Sequence, residues 1–376
     1  MIRLTIPSIE EDDLAAVREV LETGYLVQGP RVAAFEKALA ERLRLPHAVA
    51  VSSGTAALHL SLLALDVRPG DLVLVTAYSY PATANVVELC GAQPVFVDIR
   101  PDTFNMDPQQ LENALLQLKA ASDTARRVKA VLPVHAFGLM ADMPALLAVA
   151  ERHGVPVVED AACALGASLG GRPAGAWGCL GCFSFHPRKA VTTGEGGLVT
   201  TSRADLAGRV RSLRNHGLDP EGSAPDFVRP GLNCRLTDFS AALGTTQLAK
   251  LDRIIAARRR WAGRYDRLLE GTPVQPPRAP ADCFATYQSY VVLLPPNAAP
   301  RRAAIIRQLK EQGIEAQIGT YHLPLCTYYR SRYGYRPGDF PVTDEVFARS
   351  LSLPLHERLT ESDLEEVVRK LMGMVR

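Results

Sequence analysis

The sequence contains no apolar run that approaches the roughly 18 residues of a membrane-spanning helix. Its first residues, MIRLTIPSIEEDD, have no long apolar core and turn acidic at once, which is typical of neither a secretory signal nor a transit peptide. The formal net charge is only +2, so no strong field would draw the chain to nucleic acid or to an anionic membrane. We therefore expect a cytoplasmic protein without a nucleic acid or membrane partner.

Cysteine is scarce, with seven in 376 residues, and the odd, scattered set fits reduced thiols better than a disulfide framework. Cys179 and Cys182 form a C-x-x-C pair, but no second pair and no paired histidines complete a zinc site. The alternatives for this pair are structural packing in a strand and metal or redox chemistry. We favour packing, because apolar residues continue the segment, and we predict no metal.

Two common phosphate-binding motifs are also missing. The sequence has neither the G-x-x-x-x-G-K-[ST] loop nor the G-x-G-x-x-G dinucleotide fingerprint. It has no internal repeat and no low-complexity tract. An anion site in this protein therefore needs another design.

The sequence does contain a series of short apolar segments separated by turns, and helical patterns lie between most of the early ones. Continuous runs of Val, Ile and Leu suit strands that are buried on both faces, and their alternation with helices indicates a mainly parallel sheet. We predict an α/β fold with a large domain whose mainly parallel central sheet is flanked by helices. The predicted strands are residues 47–53, 71–77, 93–99, 128–136, 155–160, 181–185 and 197–201.

The pattern changes from about Leu248 onward. An Arg-rich helix, whose basic cluster we interpret as a solvated face, leads to a Pro-rich break, and a probable strand then precedes two further helices. The last helix begins with a capping box formed by Thr360 and Asp363. We predict a large cofactor-binding α/β domain over residues 1–247 and a smaller C-terminal α+β domain over residues 248–376.

Asp160 closes one predicted strand and Lys189 lies just beyond another, and ligands gather at the carboxyl edge of a parallel sheet. A desolvated amine at that edge is a nucleophile toward carbonyls, although most lysines are simply solvated. A carboxylate at the same edge needs a cation or several donors, unless it only caps the next helix.

Three further groups belong to the same edge. A helix predicted to start near Thr55 would present free N–H groups to an anion, or would be an ordinary capped helix. Ser184 adds a hydroxyl, and the ring of Tyr80 could stack on a planar ligand or pack in the core. Together these groups match the needs of pyridoxal phosphate: a lysine for its aldehyde, a carboxylate for its ring nitrogen, a helix start for its phosphate and an aromatic ring.

The chain also resembles a known family. The motifs SSGTAALHL, PVFVDI, VVEDAA, GCFSFHPRK, TTGEGGLV, RNHG and NCRLTDFSAALGTTQL are similar to those of the nucleotide-sugar aminotransferases of the DegT/StrS family, a branch of the fold-type I pyridoxal phosphate enzymes. The resemblance implies transfer of an amino group from L-glutamate to a keto group, at C4 rather than C3, of a nucleotide-linked keto-deoxysugar. Such reactions supply amino sugars for surface polysaccharides, glycans or secondary metabolites.

The resemblance also implies roles for single residues. It makes Lys189 the catalytic Schiff-base lysine and Asp160 the partner of the pyridine nitrogen. Asn233 would reach the phosphate of the neighbouring subunit's cofactor, which implies a homodimer with shared active sites. The residues expected to hold the cofactor are Gly54, Thr55, Ala56, Tyr80, Asp160, Cys163, Ser184, Lys189 and Asn233.

Two positions depart from the family pattern. Cys163 stands where the family often has a glutamine that contacts the cofactor's ring hydroxyl, and a thiol is a weaker donor. Cys326 stands where histidine is common, so His322 is a candidate for substrate contact, with a packed loop histidine as the alternative. Dehydrating relatives replace the lysine by histidine, so Lys189 favours transamination. Two alternatives stay open: a non-catalytic pyridoxal phosphate-binding regulator, and an aminotransferase of 2-oxo acids.

Overall fold

The computed structural model describes residues 1–120, 128–219 and 224–375. Its α-helices are α1 (Glu11–Thr23), α2 (Pro30–Leu43), α3 (Gly54–Ala64), α4 (Ala82–Leu89), α5 (Pro108–Ala120), α6 (Met143–Arg152), α7 (Ala204–Arg214), α8 (Asp238–Ala249), α9 (Leu251–Leu269), α10 (Arg302–Glu311), α11 (Thr327–Tyr333), α12 (Pro341–Arg349) and α13 (Glu361–Val375). Its strands are β1 (His47–Val51), β2 (Leu72–Thr76), β3 (Tyr78–Ser79), β4 (Gln93–Val97), β5 (Val128–Leu132), β6 (Val158–Asp160), β7 (Ser168–Leu169), β8 (Arg172–Pro173), β9 (Leu180–Ser184), β10 (Gly197–Thr201), β11 (Cys283–Phe284), β12 (Tyr290–Leu293), β13 (Gln317–Ile318), β14 (Tyr321–His322) and β15 (Ser350–Leu353). None of the described helices is long and apolar enough to cross a membrane.

Seven strands form the central sheet. One half has the order β1-β10-β9-β6 and the other has the order β4-β2-β5. Parallel bridges between Val131 and Val157 and between Val134 and Asp160 join the two halves. Only β10 runs antiparallel to its neighbours, so the prediction of a mainly parallel sheet is confirmed.

Both faces of this sheet are buried under helices. Alternate residues of β1 point to opposite faces, so Ala48 and Ala50 pack with the α2 side and Val49 and Val51 pack with the α3 side. Helices α5 and α6 cover the first face, and α4 and α7 cover the second. This two-sided burial explains why the strand sequences are continuous apolar runs rather than alternating ones.

The C-terminal part contains a second, smaller sheet. Strands β12, β15 and β13 pair antiparallel, and α9, α10 and α13 pack on them in a separate apolar cluster. Ile2 belongs to the rim of this cluster and pairs with Ile314, so the first residues of the chain contact its last third. The division at residues 247 and 248 falls inside the last turn of α8 and stays a prediction.

The observed helix ends agree with the sequence prediction at α13 and differ from it at α9. The backbone N–H of Thr360 donates to Asp363 Oδ2 at 2.7 Å and the N–H of Asp363 donates to Thr360 Oγ1 at 3.2 Å, so the capping box before α13 is confirmed. Asp142 caps α6 through the N–H of Ala145 at 3.2 Å. The long helix expected from Leu248 instead begins at Leu251, because Lys250 ends α8.

Candidate active site

Three parallel strands bring several of the predicted site residues to one edge of the sheet. β1 ends at Val51, β6 ends at Asp160 and β9 ends at Ser184. Since β6 pairs parallel with β9, and β1 runs in the same direction, their carboxyl ends meet at the same edge. The start of α3 and the segment that carries Lys189 follow these strand ends directly.

Lys189 lies in a tight turn directly after β9. Its backbone N–H donates to the carbonyl of His186 at 2.8 Å, and the loop is closed where the N–H of Thr193 donates to the carbonyl of Phe185 at 3.0 Å. The Lys189 amine donates to Cys163 Sγ at 3.0 Å. Lys189 is only half-buried, but its side chain turns into the molecule, whereas the neighbouring Arg188 is exposed. The geometry therefore differs from that of a solvated loop lysine.

Asp160 presents a buried carboxyl group beside this amine. It is only 4% exposed, and its oxygens accept from the Thr83 hydroxyl at 2.8 Å and from the N–H of Ala162 at 3.2 Å. Burial raises the pKa of Asp160, while these two hydrogen bonds and the charge of Lys189 oppose the rise. Asp160 makes no ion pair with any described residue, so it is suited to a cationic N–H donor from a ligand.

A second buried acid lies directly behind Asp160. Glu159 accepts hydrogen bonds from three backbone N–H groups, those of Gly175, Trp177 and Gly178, at 2.6 to 2.8 Å. It also accepts from His135 Nε2 at 2.9 Å. The N–H of Ala141 donates to His135 Nδ1 at 3.1 Å, which leaves Nε2 as the ring atom that donates to Glu159. Glu159 therefore holds the end of β6 rather than facing a ligand.

The start of α3 is built as an anion site. Its first N–H groups have no partner within the helix, and Ser53 Oγ accepts only that of Ala56, at 3.0 Å. A Cβ atom placed on Gly54 would lie 2.8 Å from the Cβ atom of Ser184, so glycine is what allows the Ser184 hydroxyl to approach the helix end. Thr55 is exposed at the same point. The turn thus offers N–H groups and hydroxyls to a phosphate.

Tyr80 and His322 have different surroundings. Tyr80 is 66% exposed, and its ring meets that of Tyr321 edge-on at 6.0 Å, so it is not a core residue. His322 is buried, and its Nε2 atom lies 2.7 Å from Asp344 Oδ1. Burial lowers the pKa of His322 despite that carboxylate. This geometry matches the packed loop histidine, and a substrate contact by His322 stays a prediction.

Asn233 is exposed on a segment beside the α3 turn. The N–H of Ser52 donates to the carbonyl of Cys234 at 2.9 Å, and Arg235 donates to the Asn215 side chain at 2.8 Å. The Asn233 side chain is free to face solvent or a second molecule.

The C-x-x-C pair packs within the sheet. Cys182 lies in β9 with its sulfur 3.2 Å from the Ser61 hydroxyl, and the Cys179 thiol donates to the carbonyl of Val157 at 3.2 Å. Burial raises the pKa of Cys179 to about 11. Within residues 1–120, 128–219 and 224–375, no group of three His, Cys, Asp or Glu side chains could hold a metal ion.

The donor set at this edge fits pyridoxal phosphate. Asp160 is a buried carboxyl group that forms no ion pair with a described residue, and the α3 start is a phosphate cradle that a Cβ atom on Gly54 would fill. The Lys189 amine is held by Cys163, three residues after Asp160. The sequence indicated these groups, but Thr83 and His135 were not among the predicted residues. Thr83 lies in no recognisable motif, while the position of His135 just after a parallel strand could have marked it.

Comparison with known proteins finds similar sequences and similar folds. The family model described as the DegT/DnrJ/EryC1/StrS aminotransferase family matches residues 7–372. The GDP-perosamine synthase of Caulobacter vibrioides is 36% identical over 98% of this chain and 97% of its own. A DegT DnrJ EryC1 StrS aminotransferase from Brucella abortus superimposes with a TM-score of 0.90 at 37% identity, covering 98% of this chain and 96% of that one. Spr1654 from Streptococcus pneumoniae, in its PLP-form, gives 0.91 at 29%, covering 99% and 98%.

Proposed function

The chain belongs to the DegT/DnrJ/EryC1/StrS aminotransferase family, and on this premise we propose that it is a pyridoxal phosphate-dependent enzyme that transfers an amino group to a nucleotide-linked keto sugar. The donor is L-glutamate and the acceptor is a keto-deoxysugar, aminated at C4. One observation carries the proposal: the Lys189 amine and the buried Asp160 carboxyl group lie together at the sheet edge where α3 begins.

Each residue has a distinct task in this reaction. When bound, pyridoxal phosphate withdraws electrons from the carbon atom that carries the amino group and so makes its proton acidic. Asp160 would stabilise the protonated ring nitrogen of the cofactor, because a carboxylate buried in low dielectric interacts strongly with a cationic donor. The amine of Lys189 would take the proton from the α carbon of the amino donor and deliver it to the C4′ carbon of the cofactor, so one residue would be both base and acid. Ser184 and the N–H groups of α3 hold the phosphate.

The acceptor belongs to the class of nucleotide-linked sugars. A relative that is 36% identical over nearly the whole chain is named for GDP-perosamine, an amino sugar linked to GDP. A GDP-linked 4-keto-6-deoxyhexose is therefore the first acceptor to test. UDP-linked and dTDP-linked keto sugars come next.

The active form is a homodimer with shared sites. The segments around Asn233 expose a set of large apolar side chains, and exposed apolar patches of this kind mark protein interfaces. The N–H of Asp238 donates to the carbonyl of Leu26 at 2.8 Å, which holds two of these segments side by side. The exposed set comprises Tyr25, Leu26, Val27, Phe227, Val228 and Leu232.

A glutamate-dependent amination assay tests the function. The purified protein, loaded with pyridoxal phosphate, is given L-glutamate and a panel of GDP-, UDP- and dTDP-linked keto sugars, and both 2-oxoglutarate and the amino sugar are measured. We expect both products with at least one keto sugar. Amination of simple 2-oxo acids alone would favour the amino-acid alternative, and cofactor binding without any 2-oxoglutarate would favour the regulator.

Two variants test the assigned residues without relying on turnover. Borohydride reduction followed by peptide mass spectrometry should find the cofactor attached to Lys189, and Lys189→Ala should abolish that attachment. Lys310→Ala, at an exposed position of α10, is the matched control and should leave it unchanged. Asp160→Asn should still trap the cofactor but slow single-turnover amination by at least about 100-fold. An unchanged rate would remove the role of Asp160.

A further inference from the structure

Gln288 connects the C-terminal part of the chain to the peptide that precedes Lys189. Its Nε2 group donates a hydrogen bond to the backbone carbonyl of Arg188. Gln288 is buried, and it lies just before β12, a hundred residues along the chain from Arg188. A second contact comes from Arg188 Nη1, which donates to Gln317 Oε1 at 3.3 Å, but this one involves an exposed side chain. Of the two contacts, only that of Gln288 holds a backbone group, the carbonyl of Arg188.

A buried arginine fixes the orientation of the Gln288 amide. Arg258 of α9 is 3% exposed, and its Nη1 group donates to Gln288 Oε1 at 3.0 Å. Because the amide oxygen is taken by a cation, the amide NH₂ must point the other way, toward Arg188. Burial lowers the pKa of Arg258 to about 10, and Arg258 forms no ion pair with a described carboxylate. Burying a guanidinium without a counter-ion costs folding free energy, so packing alone does not explain this residue.

The backbone before Gln288 is held in an uncommon conformation. Tyr287 has a φ of 49°, which places a bulky residue in the left-handed region. The N–H of Thr286 donates to the carbonyl of Gly138 at 3.0 Å, and a Cβ atom on Gly138 would lie 2.8 Å from the backbone nitrogen of Gln288. The segment 286–288 is therefore pressed against the Gly138 turn. Strain of this kind persists only where surrounding contacts determine it, and it is concentrated at functional sites.

We propose that Arg258 and Gln288 are positioning residues that set the orientation of the Lys189 peptide for proton transfer. The inference rests on the proposed function, because it takes Lys189 as the group that moves the proton. Gln288 fixes the carbonyl side of the peptide bond between Arg188 and Lys189, and Arg258 fixes Gln288. The direction of the Lys189 side chain is then set by the C-terminal part of the chain as well as by its own loop. Neither residue touches the reacting atoms.

Gln288→Glu is the most informative variant. It keeps the shape of the side chain and the contact with Arg258, but it replaces the donor to the Arg188 carbonyl by an acceptor. Gln288→Ala removes both contacts. The matched control is Gln275→Ala, because Gln275 Oε1 also accepts from a buried arginine, Arg349, at 3.2 Å, in a pair without contact to the Lys189 segment. All three variants are purified as holoenzymes and compared in kcat, KM for both substrates, thermal midpoint and the pH midpoint of the cofactor's absorption change.

We expect both Gln288 variants to lower kcat by about tenfold or more with KM within about twofold, since small misplacement of a reacting group has effects of this size. In both variants the pH midpoint of the cofactor's absorption change should also shift from its value in wild type. Gln275→Ala should lower the thermal midpoint without either change. If the Gln288 variants lose only stability, as the control does, the inference is overturned. If wild type itself traps no cofactor on Lys189, the proposed function fails instead, so the two failures are distinct.

Discussion

The Lys189 amine donates a hydrogen bond to the Cys163 thiol at 3.0 Å, across 26 residues of sequence. Cys163 follows the end of β6 and Lys189 follows the end of β9, so the parallel pairing of these strands brings the two side chains together. A thiol accepts such a hydrogen bond only weakly, so Cys163 holds the amine in place but does not bind its proton strongly. The residue that departs from the family pattern thus touches the residue that the family pattern makes catalytic.

This contact gives a prediction for Cys163→Gln. Glutamine supplies a full N–H donor where the thiol is weak, and an added hydrogen bond of about 1 kcal/mol corresponds to roughly fivefold tighter cofactor binding. Cys163→Ala, which supplies no donor, should bind pyridoxal phosphate no tighter than wild type. Equilibrium titration of the apoprotein by fluorescence measures both affinities. Equal affinities for the Gln and Ala variants would mean that this position does not face the cofactor's ring hydroxyl.

The close approach of Gly54 to Ser184 predicts a loss of phosphate binding in Gly54→Ala. The new methyl group would lie 2.8 Å from the Ser184 Cβ atom, so α3 and β9 must separate at the cradle. We expect cofactor affinity to fall by at least about tenfold, because the phosphate loses several charge-assisted hydrogen bonds at once.

Gly208→Ala is the control for this change. Gly208 lies inside α7, and a Cβ atom there meets nothing within 4 Å, so alanine should raise the free energy of unfolding by about 0.5–1 kcal/mol. Its cofactor affinity should be that of wild type. If Gly54→Ala binds the cofactor equally well, the turn is not the phosphate cradle.

Local patterns in the sequence were sufficient to predict the sheet and the edge at which the candidate site residues lie. Strands buried on both faces appear in the sequence as continuous apolar runs, and Asp160 ends one of these runs while Lys189 follows another. The burial of these two positions and their chemical role can therefore be predicted from the residues next to them in the sequence.

The residues that support the edge could not be found this way. Thr83 donates to Asp160 across 77 residues and Gln288 donates to the Arg188 carbonyl across 100, and neither lies in a local pattern. The break between α8 and α9 has the same origin. Residues 248–269 carry a continuous helical pattern. The amine of Lys250, however, donates hydrogen bonds to Asp12 and Asp13 of α1 at the position where α8 ends and α9 begins. Contacts at long sequence separation decide such features.

The buried contact between Lys250 and Asp13 predicts how stability depends on charge. Asp13 is 1% exposed, and the Lys250 amine donates to it at 2.7 Å. Lys250→Met leaves this carboxylate buried without a cation, which should lower the free energy of unfolding by about 3 kcal/mol at pH 7. Lys37→Met, which removes an exposed pair with Glu41, is the control and should change it by less than about 0.5 kcal/mol. Urea unfolding measures both, and equal effects would contradict the assignment.

The same pair predicts a pH dependence. Burial alone would raise the pKa of Asp13, but hydrogen bonds from Lys250, Thr246 and Gln247 outweigh it and hold the pKa below its ordinary value. A carboxyl group whose pKa is lowered on folding contributes stability above its unfolded pKa and loses that contribution as the pH falls through its folded pKa. The difference between wild type and Lys250→Met should therefore shrink below about pH 4. A difference that stays constant below that pH would show that the charge of Asp13 is not involved.

Complementation between two inactive variants tests whether the active sites are shared. If Asn233 of one chain serves the cofactor of the other, a mixed dimer of Lys189→Ala and Asn233→Ala chains contains one site with both residues intact. Equal amounts of the two chains, unfolded and refolded together, should then regain about a quarter of wild-type activity, since half of the dimers are mixed and each has one working site of two. Each variant refolded alone should stay inactive or nearly so. A mixture of Lys189→Ala with Asp160→Asn is the control, because both residues serve the same chain's site and no mixed dimer restores one. If the Asn233 mixture gains no more than this control, each chain completes its own site.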